Sequence, residues 1–150
     1  MDIISAIVLF GFIIMIIFYL NNIKEIIIPT NKSKLEIITI IASMIITLFI
    51  TFYYGSELFH YLIGLLGMSI LALGLFRRGI TQNGFQSMRG INIGNWDKLQ
   101  SVHLILGDEL KVTYTGKSFS YDVHYYSTDY YNEIIDLLEK NVSTNIITIE

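Results

Sequence analysis

Residues 3–20, 37–54 and 59–76 are nearly free of charge. After them, apolar and polar side chains alternate through most of the second half of the chain. Each apolar run is about 18 residues long, and as a helix rising 1.5 Å per residue it covers roughly 27 Å of a ~30 Å hydrocarbon core. The pattern therefore predicts three transmembrane helices. The first run, Ile3 to Leu20, follows Met1-Asp2, with no basic start and no small-residue cleavage site, so it reads as a retained anchor and not a signal peptide. The second closes with Phe52-Tyr53-Tyr54 and the third opens with Phe59-His60-Tyr61, aromatics suited to the headgroup belt. Only Gly55-Ser56-Glu57-Leu58 separates these two runs, which predicts a tight antiparallel hairpin. Gly64, Gly67, Ser69, Ala72 and Gly74 give the third run small residues that let helices approach closely. In the first loop, Ile26-Ile27-Ile28-Pro29 is too apolar for a free linker. It reads as an interfacial segment or as an extension of the first helix that Pro29 stops.

Arg77-Arg78 ends the third run, and the period changes there. Ile80 to Met88 is centred on Asn83-Gly84, a pair suited to a type I′ turn and therefore to a hairpin. Val102, Leu104 and Leu106 alternate with His103 and Ile105, then a Gly107-Asp108 turn leads to Leu110, Val112 and Tyr114. After Thr115-Gly116-Lys117, the residues Phe119, Tyr121, Val123 and Tyr125 share one face of the next strand. Period two over these segments predicts a half-buried antiparallel meander. The period then lengthens. Ser127 or Thr128 can cap a helix, Asp129 and Glu133 suit its N-terminal dipole, and Tyr131, Ile134, Ile135 and Leu138 make a helical stripe. The helix is expected over 128–140, followed by a frayed tail or a last short strand at 145–150. The fold class is thus α+β: a three-helix membrane anchor over 1–76, then over 77–150 a small antiparallel sheet or partial barrel with a C-terminal helix. Trp96, Leu104, Val112, Tyr121 and Ile135 are its expected core residues.

The 150 residues are 53% hydrophobic and only 15% charged, too apolar for an ordinary soluble domain. Three lysines face four carboxylates in residues 1–76, and seven bases face nine acids in 77–150. A mildly acidic second half lacks the basic surface that a phosphate backbone demands, so nucleic acid is not an expected partner. Charge placement sets an orientation instead. Lys24, Lys32 and Lys34 lie between the first two runs and Arg77-Arg78 follows the third, whereas the N-terminus and the 55–58 turn carry no Lys or Arg. The positive-inside rule then predicts a multi-pass protein of the cell membrane with the N-terminus outside and the C-terminal domain in the cytoplasm.

Candidate chemistry is sparse. The absence of ionisable residues well inside the apolar runs argues against a channel, pump or proton relay. No cysteine is present, which removes disulfides, thiolate metal sites and a Cys nucleophile. His60, His103 and His124 have no metal-ligand spacing. His103 and His124 fall on the strand faces opposite the apolar side chains, where they suit partner contact; a Zn²⁺ site with Asp122 would require them to meet across a sheet. Ser118, Ser120, Asp122 and His124 alternate along one strand, whereas a catalytic triad converges from separate elements. Gly84, Gly90 and Gly94 precede no helix start or Lys-Ser/Thr pair and make no phosphate loop. No enzyme activity, metal or cofactor is expected. Arg77, Arg78 and Arg89 are candidates for contact with anionic lipid. Trp96, before Asp97-Lys98-Leu99, reads either as a partner-docking aromatic or as a core indole with its N–H satisfied. Asn31-Lys32-Ser33 and Asn141-Val142-Ser143 match the glycosylation sequon, but on the predicted topology both face the cytoplasm.

The order R-G-I-T-x-x-G, I-x-I-G-N-W-D-K-L, two alternating strands and a terminal helix resembles bacterial PH-like domains carried on membrane anchors. The likeness covers residues 77–140, with Ile80, Gly84, Ile93, Trp96 and Leu99 as its key positions. A close variant occurs in a family of small bacterial membrane proteins of domain-of-unknown-function type. The resemblance implies a non-enzymatic binding or scaffold module that presents a PH-like domain to a membrane or cytoplasmic protein at the inner face of the bilayer. The alternative it implies is bacteriocin self-immunity or an envelope-stress role.

Overall fold

The computed structural model describes residues 3–86, 94–117 and 119–150. It is α+β, and the chain divides into two compact units. One comprises Met1–Lys24 and Lys32–Arg77, the other Glu25–Asn31 and Arg78–Glu150. The main division falls between Arg77 and Arg78, but the second unit also takes a segment from the first loop.

The helical unit contains α1 (Ile3–Lys24), α2 (Lys34–Tyr54) and α3 (Leu58–Gly74). With 22 and 21 residues, α1 and α2 are long and apolar enough to cross a membrane. The expectation of three full-length spans is corrected here: α3 has 17 residues, because Leu75 and Phe76 leave the helix as a turn. Ser33 caps α2 reciprocally. Its Oγ accepts from the Glu36 N–H at 3.1 Å while its own N–H donates to Glu36 Oε2 at 3.2 Å. Within α2 the hydroxyls of Thr39, Ser43, Thr47 and Thr51 each donate to the carbonyl four residues back, at 2.8–2.9 Å. A hydroxyl satisfied in this way leaves only its aliphatic part facing outward. At Gly64 a Cβ would strike the Thr51 side chain, so α2 and α3 are in contact through this glycine.

The second unit holds two four-stranded sheets. The first runs β1 (Ile26–Pro29), β2 (Gly79–Thr81), β3 (Gly84–Gln86), β4 (Gly94–Asn95), antiparallel throughout. In the second, β7 (Phe119–Tyr126), β6 (Leu110–Gly116) and β5 (Leu99–Leu106) form the meander, and β8 (Ile147–Ile149) lies parallel to β5 on its far side. Helix α4 (Tyr131–Asn141) buries Ile134 and Leu138 completely. The core draws on both sheets and on α4: Ile28, Ile80 and Phe85 meet Val102, Leu104, Leu110, Val112, Ile134 and Leu138.

Four local expectations are corrected. Ile26–Pro29 is neither interfacial nor helical but an edge strand, with Ile28 fully buried opposite Ile80. Pro29 suits an edge because it has no N–H to offer a further strand. The 79–86 hairpin turns at Gln82-Asn83, one residue before the expected pair, since Thr81 registers with Gly84. No non-glycine residue among those described has positive φ, so the turn is not type I′. Gly84 instead opens β3 at φ 158°, where a Cβ would collide with the Gly94 carbonyl. The largest correction concerns β7. Tyr121 is 54% exposed and Tyr125 44%, while Asp122, His124 and Tyr126 point inward. Ile135, also expected in the core, is only partly buried.

Candidate functional site

The inward row of β7 is set by its neighbour. Register pairs Val112 with His124 and Tyr114 with Asp122, so these side chains share the buried face of β6. Phe85 from β3 closes the cage: its ring stacks on Tyr114 with centroids 4.1 Å apart and meets His124 edge-on at 5.5 Å. Tyr114, His124 and Tyr126 are fully buried, and the Asp122 side chain is 11% exposed.

A hydrogen-bond chain runs through this cage. His124 Nε2 lies 3.3 Å from Asp122 Oδ2, His124 Nδ1 lies 2.8 Å from the Tyr126 hydroxyl, and that hydroxyl lies 3.3 Å from Tyr114 Oη. A carboxylate accepts and cannot donate. With a neutral imidazole, Nε2–H donates to Asp122, Nδ1 accepts the Tyr126 O–H, and the Tyr126 oxygen is left to accept from Tyr114. Asp122 Oδ1 also accepts from the Val123 N–H at 3.1 Å. Burial pushes both phenols to higher pKa. For Tyr126 the adjoining Tyr114 adds to the rise and the Arg78 charge opposes it.

Arg78 belongs to this structure. One guanidinium N–H donates to the Val123 carbonyl at 3.0 Å, and the Arg78 carbonyl accepts from the Thr30 N–H at 3.2 Å. Beside it the Asn31 N–H donates to the Tyr125 carbonyl at 2.7 Å. Two carbonyls on the outer edge of β7 are thus occupied from within the unit, which blunts that edge. Arg78, expected at a lipid surface, is instead half-buried against β7. Arg77 lies in the helical unit with its guanidinium 4.8 Å from the Tyr19 ring centroid. Arg89 lies outside the described residues, as do Ile93 and Ser118.

The remaining candidates separate. Trp96 is 7% exposed and its indole N–H donates to the Gln82 carbonyl at 2.9 Å, so it is a core residue that pins the β2–β3 turn and is not a docking aromatic. His103 is exposed opposite Thr113, whereas His124 is buried opposite Val112; they face opposite sides of the sheet, and the Zn²⁺ arrangement does not form. His124 is likewise withdrawn from partner contact. The Asp122–His124–Tyr126–Tyr114 chain escaped sequence reasoning, although its signal was present: polar side chains at every second position from 122 to 126, in register with Tyr114.

Chemically, this chain passes hydrogen bonds from a carboxylate near the surface to two phenols in the core, which hold one another. Its immediate effect is on strand register. A slip of β7 by one residue would bury Tyr121, Val123 and Tyr125, the more apolar row, and would break every bond in the chain. The network holds the polar row inside and the aromatic row outside. No protein-family model, curated protein or solved structure matches this chain, so the reading of its site rests on this geometry.

Proposed function

We propose that the protein is a membrane-anchored, non-enzymatic binding module whose β-unit docks a protein partner through the outer face of β7. The observation that carries this reading is the inversion of that strand. Natural sequences keep local preference and fold in agreement except where function intervenes. Here a buried polar network turns Tyr121 and Tyr125 outward, beside Val123, Thr113 and His103 on one sheet face. Exposed tyrosines supply large contact area at low entropic cost. Two four-stranded sheets with a C-terminal helix are compatible with a PH-like module, a fold that works through its edges and faces.

Connectivity supports the anchor. Strand β1 precedes α2, and β2 follows α3, yet the two pair in one sheet. Their shared unit lies on one side of the bilayer. If α2 crosses, α3 is the return leg, its 17 residues spanning roughly 25 Å. The basic residues flanking these helices favour the cytoplasmic side for the β-unit.

Two measurements test the proposal on the full-length protein. A photo-cross-linking residue at position 121 or 125 is expected to trap a discrete protein adduct that the same residue at Glu139, exposed on α4, does not trap. Equal trapping at all three positions, or none with the β-unit folded, refutes the docking face. Because the chain has no cysteine, single cysteines at 57 and 117 report topology cleanly in intact cells. An impermeant reagent should label 57 and spare 117; the reverse overturns the orientation.

A further inference from the structure

The helical unit contains a cavity of about 500 Å³, within the range of small-ligand sites. Its lining comes from all three helices, and its chemistry changes along its length. At the end near the α2–α3 turn stand Tyr54, Gly55 and His60; further in lie Phe12, Met15, Ile63, Gly67 and Leu71. Thr47 and Thr51 also line it, but their hydroxyls are engaged with carbonyls of α2. The wall therefore offers hydrocarbon throughout its inner part.

The mouth offers a donor. His60 Nδ1 faces the backbone N–H groups of Ser56 and Glu57, each at 3.3 Å. With Nδ1 accepting from these N–H groups, Nε2 is the ring nitrogen left to donate. Tyr61 Oη donates to the Gly55 carbonyl at 3.0 Å, so the turn that frames the mouth is held by its own side chains. The space itself depends on Gly67. A Cβ there would lie 3.4 Å from Phe12 and 4.0 Å from Thr47 Cγ2, ordinary contact distances, so a methyl is tolerated while a longer side chain fills the cavity.

The geometry points to a lipid site within the helical unit, in which one acyl chain lies along Gly67 and an ester or headgroup oxygen meets His60 at the turn. The inference rests on the membrane reading above. Outside the cavity, α1 and α2 carry Ile4, Ile38 and Phe49, each at least 66% exposed. In a bilayer, lipid is what meets those faces. A polar mouth over an apolar shaft matches the polarity of a lipid from headgroup to chain.

The test uses full-length protein in nanodiscs of phosphatidylethanolamine and phosphatidylglycerol with a trace of lipid carrying a diazirine on one acyl chain. After irradiation, adducts mapped by mass spectrometry are expected on Phe12, Met15, Ile63 and Leu71 several-fold above those on Ile4, Ile38 and Phe49. Gly67→Leu should remove the cavity adducts and spare the outward ones, and Gly67→Ala should retain both. Ile63→Trp, which fills the space from another wall, should repeat the Gly67→Leu result. Uniform labelling of cavity and outer faces in the wild type overturns the site while leaving the membrane reading intact. Absence of adducts on every helix, with the protein recovered free of lipid, overturns the membrane reading itself and the site with it.

Discussion

The hydrogen-bond chain in the β-unit makes a sharp prediction about two tyrosines that differ only in their place along it. Tyr126 is the middle member, bonded to His124 Nδ1 at 2.8 Å and to Tyr114 at 3.3 Å, and Tyr114 is the end member. Tyr126→Phe removes two fully buried hydrogen bonds, one to His124 Nδ1 and one to the Tyr114 hydroxyl. At about 1–3 kcal/mol for each buried polar group that loses its partner, the loss should reach about 2–6 kcal/mol. Tyr114→Phe removes one bond but leaves Tyr126 donating to His124, for about 0.5–1.5 kcal/mol. In the double variant no phenol remains to be orphaned, so adding Tyr114→Phe to Tyr126→Phe should cost nothing or restore stability. Trp96, the only tryptophan and buried in the same unit, reports this unfolding by fluorescence in urea. With an m-value of about 1 kcal/mol/M, a loss of 2 kcal/mol moves the midpoint by about 2 M. Equal losses in the two single variants, or strict additivity in the double, would refute the directional chain.

Alkaline pH should act on the same residues. Burial raises both phenols above the ordinary value of 10.0, so the folded state holds protons that the unfolded state releases. This contribution is complete below pH 10 and is lost as pH rises above it, by up to about 1.4 kcal/mol per pH unit for each tyrosine. Wild type should therefore lose midpoint stability above pH 10 more steeply than the double Phe variant; parallel slopes would contradict this. On the sheet faces, Val112→Ala should cost about 2–3 kcal/mol, because its side chain is fully buried, whereas Tyr121→Ala should stay within about 0.5 kcal/mol. A larger loss at 121 than at 112 in the same fluorescence assay would reverse the face assignment.

What was legible in the sequence depended on how local its cause is. Long apolar runs have few ways to be satisfied, so α1 and α2 were plain, as were β5 and β6, whose alternation matches their burial at Val102, Leu104, Val112 and Tyr114 but not at Leu106, which is 53% exposed at the strand end. The span of α3 was overread because hydropathy continues to Phe76 while the helix ends at Gly74. For β7, alternation revealed a strand but named the wrong inward row. Which row turns in is decided by register with β6 and by Tyr114, Phe85 and Arg78, none of which is adjacent in sequence. Strand β1 was missed for a related reason: its partner lies about fifty residues further on, and four residues carry no period of their own. Trp96 was legible as one of two alternatives, and only the Gln82 carbonyl decides between them.

The discontinuity of the β-unit changes what its minimal folding fragment is. Along the chain, α2 and α3 are an insertion between the first and second strands of a β-unit, and a fragment starting at Arg78 lacks Ile28, a fully buried member of the core. During synthesis β1 emerges well before any strand it can pair with. Closing that gap through flexible chain would cost about 3.5 kcal/mol in loop entropy. A helical hairpin already formed between α2 and α3, with Thr51 against Gly64, removes most of that freedom beforehand. Assembly of the α2–α3 hairpin thereby lowers the entropic cost of pairing β1 with β2, so a nascent chain that fails at the hairpin closes this sheet more slowly.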